Sequence, residues 1–161
     1  MDFSALKGGE DMKIVYTDGK NKDFIELCRL LDDNLDEIVG GKKQRQQYAQ
    51  YNTLEDINDV ILIYNDEIAV SCASFKFYDE GIAEVKRVYV RKEYRGKGIS
   101  KQMMSCLEER AKSRGFSKLI LETGAPLVEA MGLYINIGYK VIENYGQYKY
   151  MKESICMQKN I

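Results

Sequence analysis

The chain has 161 residues, 45% of them apolar and 30% charged, with a formal net charge of -1. That length fits one domain with a real core. The near-neutral balance excludes a general electrostatic pull toward nucleic acid or an anionic membrane. No apolar run is long enough to cross a bilayer, and no signal-peptide pattern is present. Histidine is absent, which removes Ser–His and Cys–His nucleophile pairs and histidine metal sites. Cys28, Cys72, Cys106 and Cys156 are widely spaced, with no C-x-x-C pair. They read as small core residues in a reducing compartment, so a cytoplasmic location is expected.

In chain order, Met1 to Met12 is polar and glycine-containing, either a flexible leader or a stretch that makes Met12 the biological start. Lys13 to Thr17 predicts a short strand, and Asp18-Gly19 a turn. Phe24, Leu27, Leu31, Leu35 and Ile38 recur at three- and four-residue steps, which predicts a helix over Asp23 to Val39, stopped by Gly40-Gly41. Lys42 to Asn52 is polar and glutamine-rich, readable as helix or loop. Thr53 to Asn58 suggests one helical turn with Thr53 as N-cap.

Asp59 to Tyr64 and Ile68 to Tyr78 predict two strands joined at Asn65-Asp66-Glu67, followed by a third, Ile82 to Val90. The three should form an antiparallel meander. A helix is predicted over Ile99 to Arg114, with Ile99, Met103, Leu107 and Ala111 on one face. Lys118 to Glu122 predicts a strand that can lie parallel to Ile82–Val90, because a helix crosses between them. Pro126 is expected at the first position of a helix running on through Glu129 to Asn136. Tyr139 to Ile142 and Ser154 to Lys159 read as closing strands. With no repeat or linker, a single domain over 1–161 is expected. The fold class is α+β, a mostly antiparallel sheet of about six or seven strands with one central parallel pair.

The most informative stretch joins the third strand to the helix, Val85 to Ser100. A strand, a glycine turn and a helix start in that order make an anion-binding corner. A dinucleotide fingerprint fails because its third glycine is Lys101 here, and a P-loop fails because Arg91 replaces its first glycine. Arg95-Gly96-Lys97-Gly98-Ile99-Ser100 instead resembles the pyrophosphate-binding motif of the GNAT superfamily of N-acetyltransferases. Glu129-Ala130-x-x-Leu133-Tyr134-x-x-x-Gly138-Tyr139 resembles that superfamily's second signature, and the element order is that of its fold. Asn144-Tyr145-Gly146-x-Tyr148 with Ser154-x-Cys156-Met157-x-Lys159 is similar to a large bacterial subgroup of uncharacterised members.

The resemblance implies acetyl-CoA as cofactor, no metal, and transfer of the acetyl group in a ternary complex to a primary amine of a small molecule, peptide or protein. Its pyrophosphate suits the N–H groups of Arg95, Gly96, Lys97, Gly98, Ile99 and Ser100, with side-chain charge from Arg95 and Lys97. The pantetheine arm would pair with the backbone of Val88, Tyr89 and Val90 in a gap between two splayed strands. An N–H near Val90 would then act as an oxyanion donor.

A lysine-like amine has a pKa of about 10.4 against about 4.3 for a free Glu, so direct proton transfer is uphill by roughly 8 kcal/mol. A base must be desolvated or work through water. By alternation, Glu84, Lys86 and Val88 share one strand face. Glu84 matches the base position of histone-type members; a solvent-facing ion pair with Lys86 or Arg87 is the plainer reading. Glu122 is the rival base. Tyr134 matches the superfamily's general acid; a core tyrosine is the alternative.

Two departures stand out: Ser100 for the usual Gly or Ala, and Leu127 where many members carry an asparagine that contacts the cofactor. Tyr145, Tyr148 and Tyr150 could wall an acceptor pocket or pack on the surface. A homodimer, a non-catalytic acyl-CoA-binding module and a nucleotide-binding protein all stay open.

Overall fold

The computed structural model describes residues 12–38 and 53–161. The expectations for the first eleven residues, for Val39 to Gly41 and for Lys42 to Asn52 lie outside these residues. The elements are β1 (Met12–Thr17), α1 (Lys22–Ile38), β2 (Asp59–Asn65), β3 (Ile68–Asp79), β4 (Ile82–Val90), α2 (Ile99–Ser113), β5 (Lys118–Gly124), α3 (Val128–Asn136), β6 (Lys140–Ile142) and β7 (Ser154–Asn160). The strands form a seven-stranded sheet in the order β1-β2-β3-β4-β5-β7-β6. Every pairing is antiparallel except β4 with β5, the two strands that α2 connects.

Both faces of the sheet are covered, which explains its nearly unbroken apolar strands. Ile61 and Ile63 of β2 pack with Met103, Met104 and Leu107 of α2. Val60 and Leu62, one residue out of phase, pack with Phe24 and Leu27 of α1. The start of α1 is set by Asn21, whose Oδ1 accepts from the N–H groups of Asp23 at 2.9 Å and Phe24 at 3.2 Å.

Two expectations are corrected, and Met12 lies in β1, paired with Asn65. Thr53 to Asn58 is no helical turn. The chain bends there with Ile57 N–H donating to Leu54 O at 3.3 Å, and Gly19 N–H fastens the bend to Ile57 O at 2.9 Å. Pro126 does not open a helix. It lies in a turn closed by Leu127 N–H to Gly124 O at 2.9 Å, and α3 begins at Val128. A proline's fixed φ suits a turn as well as a first helical turn, so sequence alone did not separate them.

Candidate active site

β4 runs through a 3-10 turn at Lys92–Tyr94 into two left-handed glycines, Gly96 at φ +78° and Gly98 at φ +80°. An L side chain is strained in that conformation. A Cβ at either glycine would meet nothing within 4 Å, so the backbone there borders open space. Gly98 is the N-cap of α2, and no side chain caps the helix. The first N–H groups of α2 and the positive end of its dipole therefore await an external acceptor.

Arg95 is tied inward. Its Nε donates to Val90 O at 2.9 Å, its guanidinium lies 5.5 Å from the Tyr89 ring, and one terminal nitrogen reaches Asn34 at 3.4 Å. Lys97 lies over the Tyr94 ring at 5.3 Å. Ser100 opens α2 beside Ile99.

The parallel pairing of β4 with β5 runs from Ile82 opposite Lys118 to Glu84 opposite Ile120 and ends there. β5 continues to Gly124 paired with β7 alone, so a gap opens beyond Glu84 along Val85 to Val90. Within that stretch β4 carries a bulge. Ser74 faces Lys86 and Cys72 faces Tyr89, which leaves Arg87 and Val88 opposite Ala73.

Arg87 takes a left-handed φ of +57°, and its side chain pairs with Asp32 of α1 at 2.6 Å. Ser74 Oγ donates to Lys86 O at 2.6 Å, and Cys72 Sγ to Arg87 O at 3.2 Å, so the displaced carbonyls stay bonded. The extra residue reverses the alternation. Val88 packs with Val85 and Val90 in the α2-side core, whereas Tyr89 joins the α1 side. The expected shared face of Glu84, Lys86 and Val88 is thus corrected: Val88 lies on the other face. Arg91 N–H donates to Val70 O of β3 at 2.8 Å. Strand alternation then aims the Val90 N–H at the β5 side, into the gap.

Glu84, the last β4 residue paired with β5, is 1% exposed. Its Oε2 accepts from the Tyr145 hydroxyl at 2.6 Å, and Lys86 Nζ lies 3.6 Å from its Oε1. Lys86 Nζ also donates to the Tyr148 hydroxyl at 2.9 Å. The aromatic frame is continuous: Tyr145 meets Tyr148 at 5.7 Å and Tyr78 at 5.2 Å, both edge to face. Asn144 Nδ2 holds this loop by reaching the carbonyls of Tyr148 at 3.2 Å, Met151 at 3.2 Å and Ser154 at 3.1 Å.

Burial lowers the Lys86 pKa even though the Glu84 carboxylate pulls the other way. Burial first, and Glu84 next, push the Tyr145 phenol far above its ordinary range. Burial, then the charges of Glu122 and Glu84, raise Tyr148. The solvent-facing reading of Glu84 is therefore set aside: its partner is Lys86, as that reading had it, but the pair is buried. Tyr145 as the carboxylate's direct partner was not foreseen. The only sequence signal was the density of tyrosines in the tail. Tyr150, by contrast, is 88% exposed, with Lys149 Nζ 5.6 Å from its ring centre.

Tyr134 of α3 is buried and stacks edge to face on Tyr139 at 5.6 Å. Burial raises its phenol pKa well above the usual value, and the Glu122 carboxylate adds to the shift. Glu122 sits on β5 beyond the last β4 pairing, opposite Cys156 of β7, and its charge also bears on Lys86 and Tyr148. Glu122 thus bears on Tyr134, Lys86 and Tyr148, and Glu84 bears on Lys86, Tyr145 and Tyr148. Leu127 stands at the N-cap of α3 and brings no polar side chain there. Among the described residues no group of three His, Cys, Asp or Glu side chains is set to hold a metal ion, and no helix is long and apolar enough to cross a membrane.

Known proteins resemble this chain in sequence and fold. The sequence profile of the acetyltransferase (GNAT) family matches residues 24–139. An IAA acetyltransferase of Azospirillum brasilense is 32% identical over 136 residues, covering 84% of this chain and 88% of that protein. Probable N-acetyltransferase 14 of Xenopus tropicalis is 29% identical over 97 residues, 60% of this chain and 47% of the frog protein. The match spans about half the length of that relative, and 64% of an uncharacterised N-acetyltransferase, YsnE, of Bacillus subtilis. Among solved structures, the PaiA N-acetyltransferase of Thermoplasma acidophilum in complex with coenzyme A superposes with a TM-score of 0.72 at 18% identity, over 94% of this chain and 100% of that one. That likeness shows the fold. With the profile matching most of the chain, the protein belongs to the GNAT family of acetyltransferases.

Proposed function

We propose that this protein, acting as a single domain, transfers the acetyl group of acetyl-CoA directly to a primary amine on a small molecule, peptide or protein. The parting of β4 from β5 beyond Glu84, beside the uncapped start of α2, carries this reading. The residues present fit the cofactor. Open space over Gly96 and Gly98 admits a diphosphate to the N–H groups of Gly96, Lys97, Gly98, Ile99 and Ser100. The free edge of β4 at Val88 to Val90 offers an extended arm strand-like bonding. Coenzyme A bound in the Thermoplasma relative supports the same choice here. When bound, acetyl-CoA supplies a thioester whose carbonyl carbon is open to attack by an amine.

The chain's own groups would do the rest. Val90 N–H, aimed into the gap, would stabilise negative charge developing on a carbonyl oxygen. Arg95 Nε occupies Val90 O and so steadies the same peptide strand. Tyr134, kept protonated by burial and by Glu122, would donate to the departing sulfur. Glu84 would receive the acceptor's proton, with Lys86 balancing the charge that Glu84 carries at rest. Glu122 would act by field on Tyr134 and Lys86.

Titration calorimetry with coenzyme A and steady-state thiol release over an amine panel test the proposal. Micromolar binding with amine-dependent release is expected. No association at millimolar coenzyme A removes the cofactor assignment, and tight binding with no product from any amine leaves a binding module. Tyr134→Phe should lower kcat about a hundred- to ten-thousandfold with coenzyme A affinity unchanged. An unaltered kcat across pH takes the acid role from Tyr134.

A further inference from the structure

We propose that Tyr145 is the conduit to Glu84: its phenol oxygen takes a proton from the acceptor ammonium, directly or through one water, as its own O–H proton passes to Glu84 Oε2. This deepens the amine-transfer reading and rests on it. Glu84 is 1% exposed and both of its oxygens are engaged, Oε2 by Tyr145 at 2.6 Å and Oε1 beside Lys86 at 3.6 Å. An incoming amine therefore meets one of Glu84's partners first. Lys86 cannot relay while charged, because an ammonium has no lone pair. Tyr145 can, because a phenol oxygen that donates its proton still accepts. Tyr145 is also less buried than Glu84, so it forms the outer member of the pair.

The ring is held for this task. Tyr78 and Tyr148 clamp it edge to face at 5.2 and 5.7 Å, and Asn144 fixes the loop at its base. The bonds balance. An ammonium N–H breaks as an O–H forms on Tyr145, and the original Tyr145 O–H breaks as one forms on Glu84. The products are a neutral amine, a neutral carboxylic acid and an unchanged phenol. The two hops are concerted, since burial and the neighbouring carboxylate disfavour a free tyrosinate. The relay supplies access; desolvation of the ammonium supplies the driving force. The charged or titratable groups around Glu84 are Lys86 of β4, Lys76 of β3, Glu122 of β5, Cys156 of β7 and Tyr148 of the tail.

The test uses the full chain, acetyl-CoA and a fixed mixture of lysine ethyl ester, tyramine, spermidine and glycylglycine, against a protein-free blank. Tyr145→Phe keeps the ring and should lower kcat about a hundredfold or more with coenzyme A affinity unchanged. In mixed light and heavy water the wild-type rate should curve more strongly than the variant's, which no longer passes the Tyr145 proton. The double variant Glu84→Gln/Tyr145→Phe should be no slower than Glu84→Gln alone. A Tyr145→Phe rate and isotope effect equal to wild type, or a double variant as slow as the product of the singles, overturns the relay. If Tyr145→Phe fails to fold, a linear wild-type inventory overturns it unaided. A Glu84→Gln variant with the wild-type rate profile instead removes Glu84 as base. A wild-type rate equal to the blank removes the transfer reading, and the relay with it.

Discussion

The glycine corner and the Glu84 cluster stand at the two ends of the free stretch of β4 and are built on opposite principles. The corner is made of main chain from consecutive residues, Gly96 to Ser100, with open space above its glycines. The cluster is made of side chains that meet across 61 positions of sequence, buried and bonded to one another. A main-chain site needs only the right φ angles and tolerates many neighbours. A side-chain cluster in a poor dielectric needs every member, because each charge or hydroxyl left alone pays its full desolvation cost. The first kind of site suits a cofactor handle that never changes; the second suits proton chemistry.

Breaking the cluster should therefore cost most. Lys86→Met leaves the Glu84 carboxylate buried without its cation, and a loss of about 3–5 kcal/mol in unfolding free energy is expected by denaturant titration. A loss under about 1 kcal/mol would mean that Tyr145 alone satisfies the carboxylate. The corner should fail differently. Gly98→Val forces a β-branched residue to φ +80° and fills the space over the helix start. Coenzyme A affinity should fall about a hundredfold, about 2.7 kcal/mol, with a much smaller stability change. Calorimetry showing unchanged affinity would move the diphosphate away from α2.

The smallest effect sharpens the contrast through pH. Tyr145 and Tyr134 have raised folded pKa values, chiefly from burial. Above about pH 10 the unfolded chain loses these protons while the folded one keeps them, so stability is full below that pH and falls above it. Each such group contributes up to about 1.4 kcal/mol per pH unit. Melts from pH 9 to 11 should show the decline, and Tyr145→Phe should make it shallower. A slope identical in the variant would place Tyr145 outside the buried set.

What could be read in the sequence follows the same division. The meander, the parallel pair and the glycine corner are local or periodic features, and each stands where spacing put it. Glu84 and Lys86 were recognised as neighbours because alternation is local. Tyr145 was not assigned to Glu84, because nothing in Asn144-Tyr145-Gly146 says which strand 61 positions earlier it will meet. The bulge at Arg87 was invisible for a different reason. An arginine at φ +57° breaks the usual preference for glycine or asparagine in that conformation, and Ser74 and Cys72, which bond the displaced carbonyls, lie on another strand. Plain alternation accordingly puts Val88 on the wrong face.

That one inserted residue uncouples the two halves of β4. Upstream of Arg87, Glu84 and Lys86 bond to the tyrosine tail; downstream, Val90 O accepts from Arg95 at the glycine corner. The pairing with β3 resumes at Tyr89, so Tyr89 and Val90 take their register from Cys72 and Ser71 and not from the residues before Arg87.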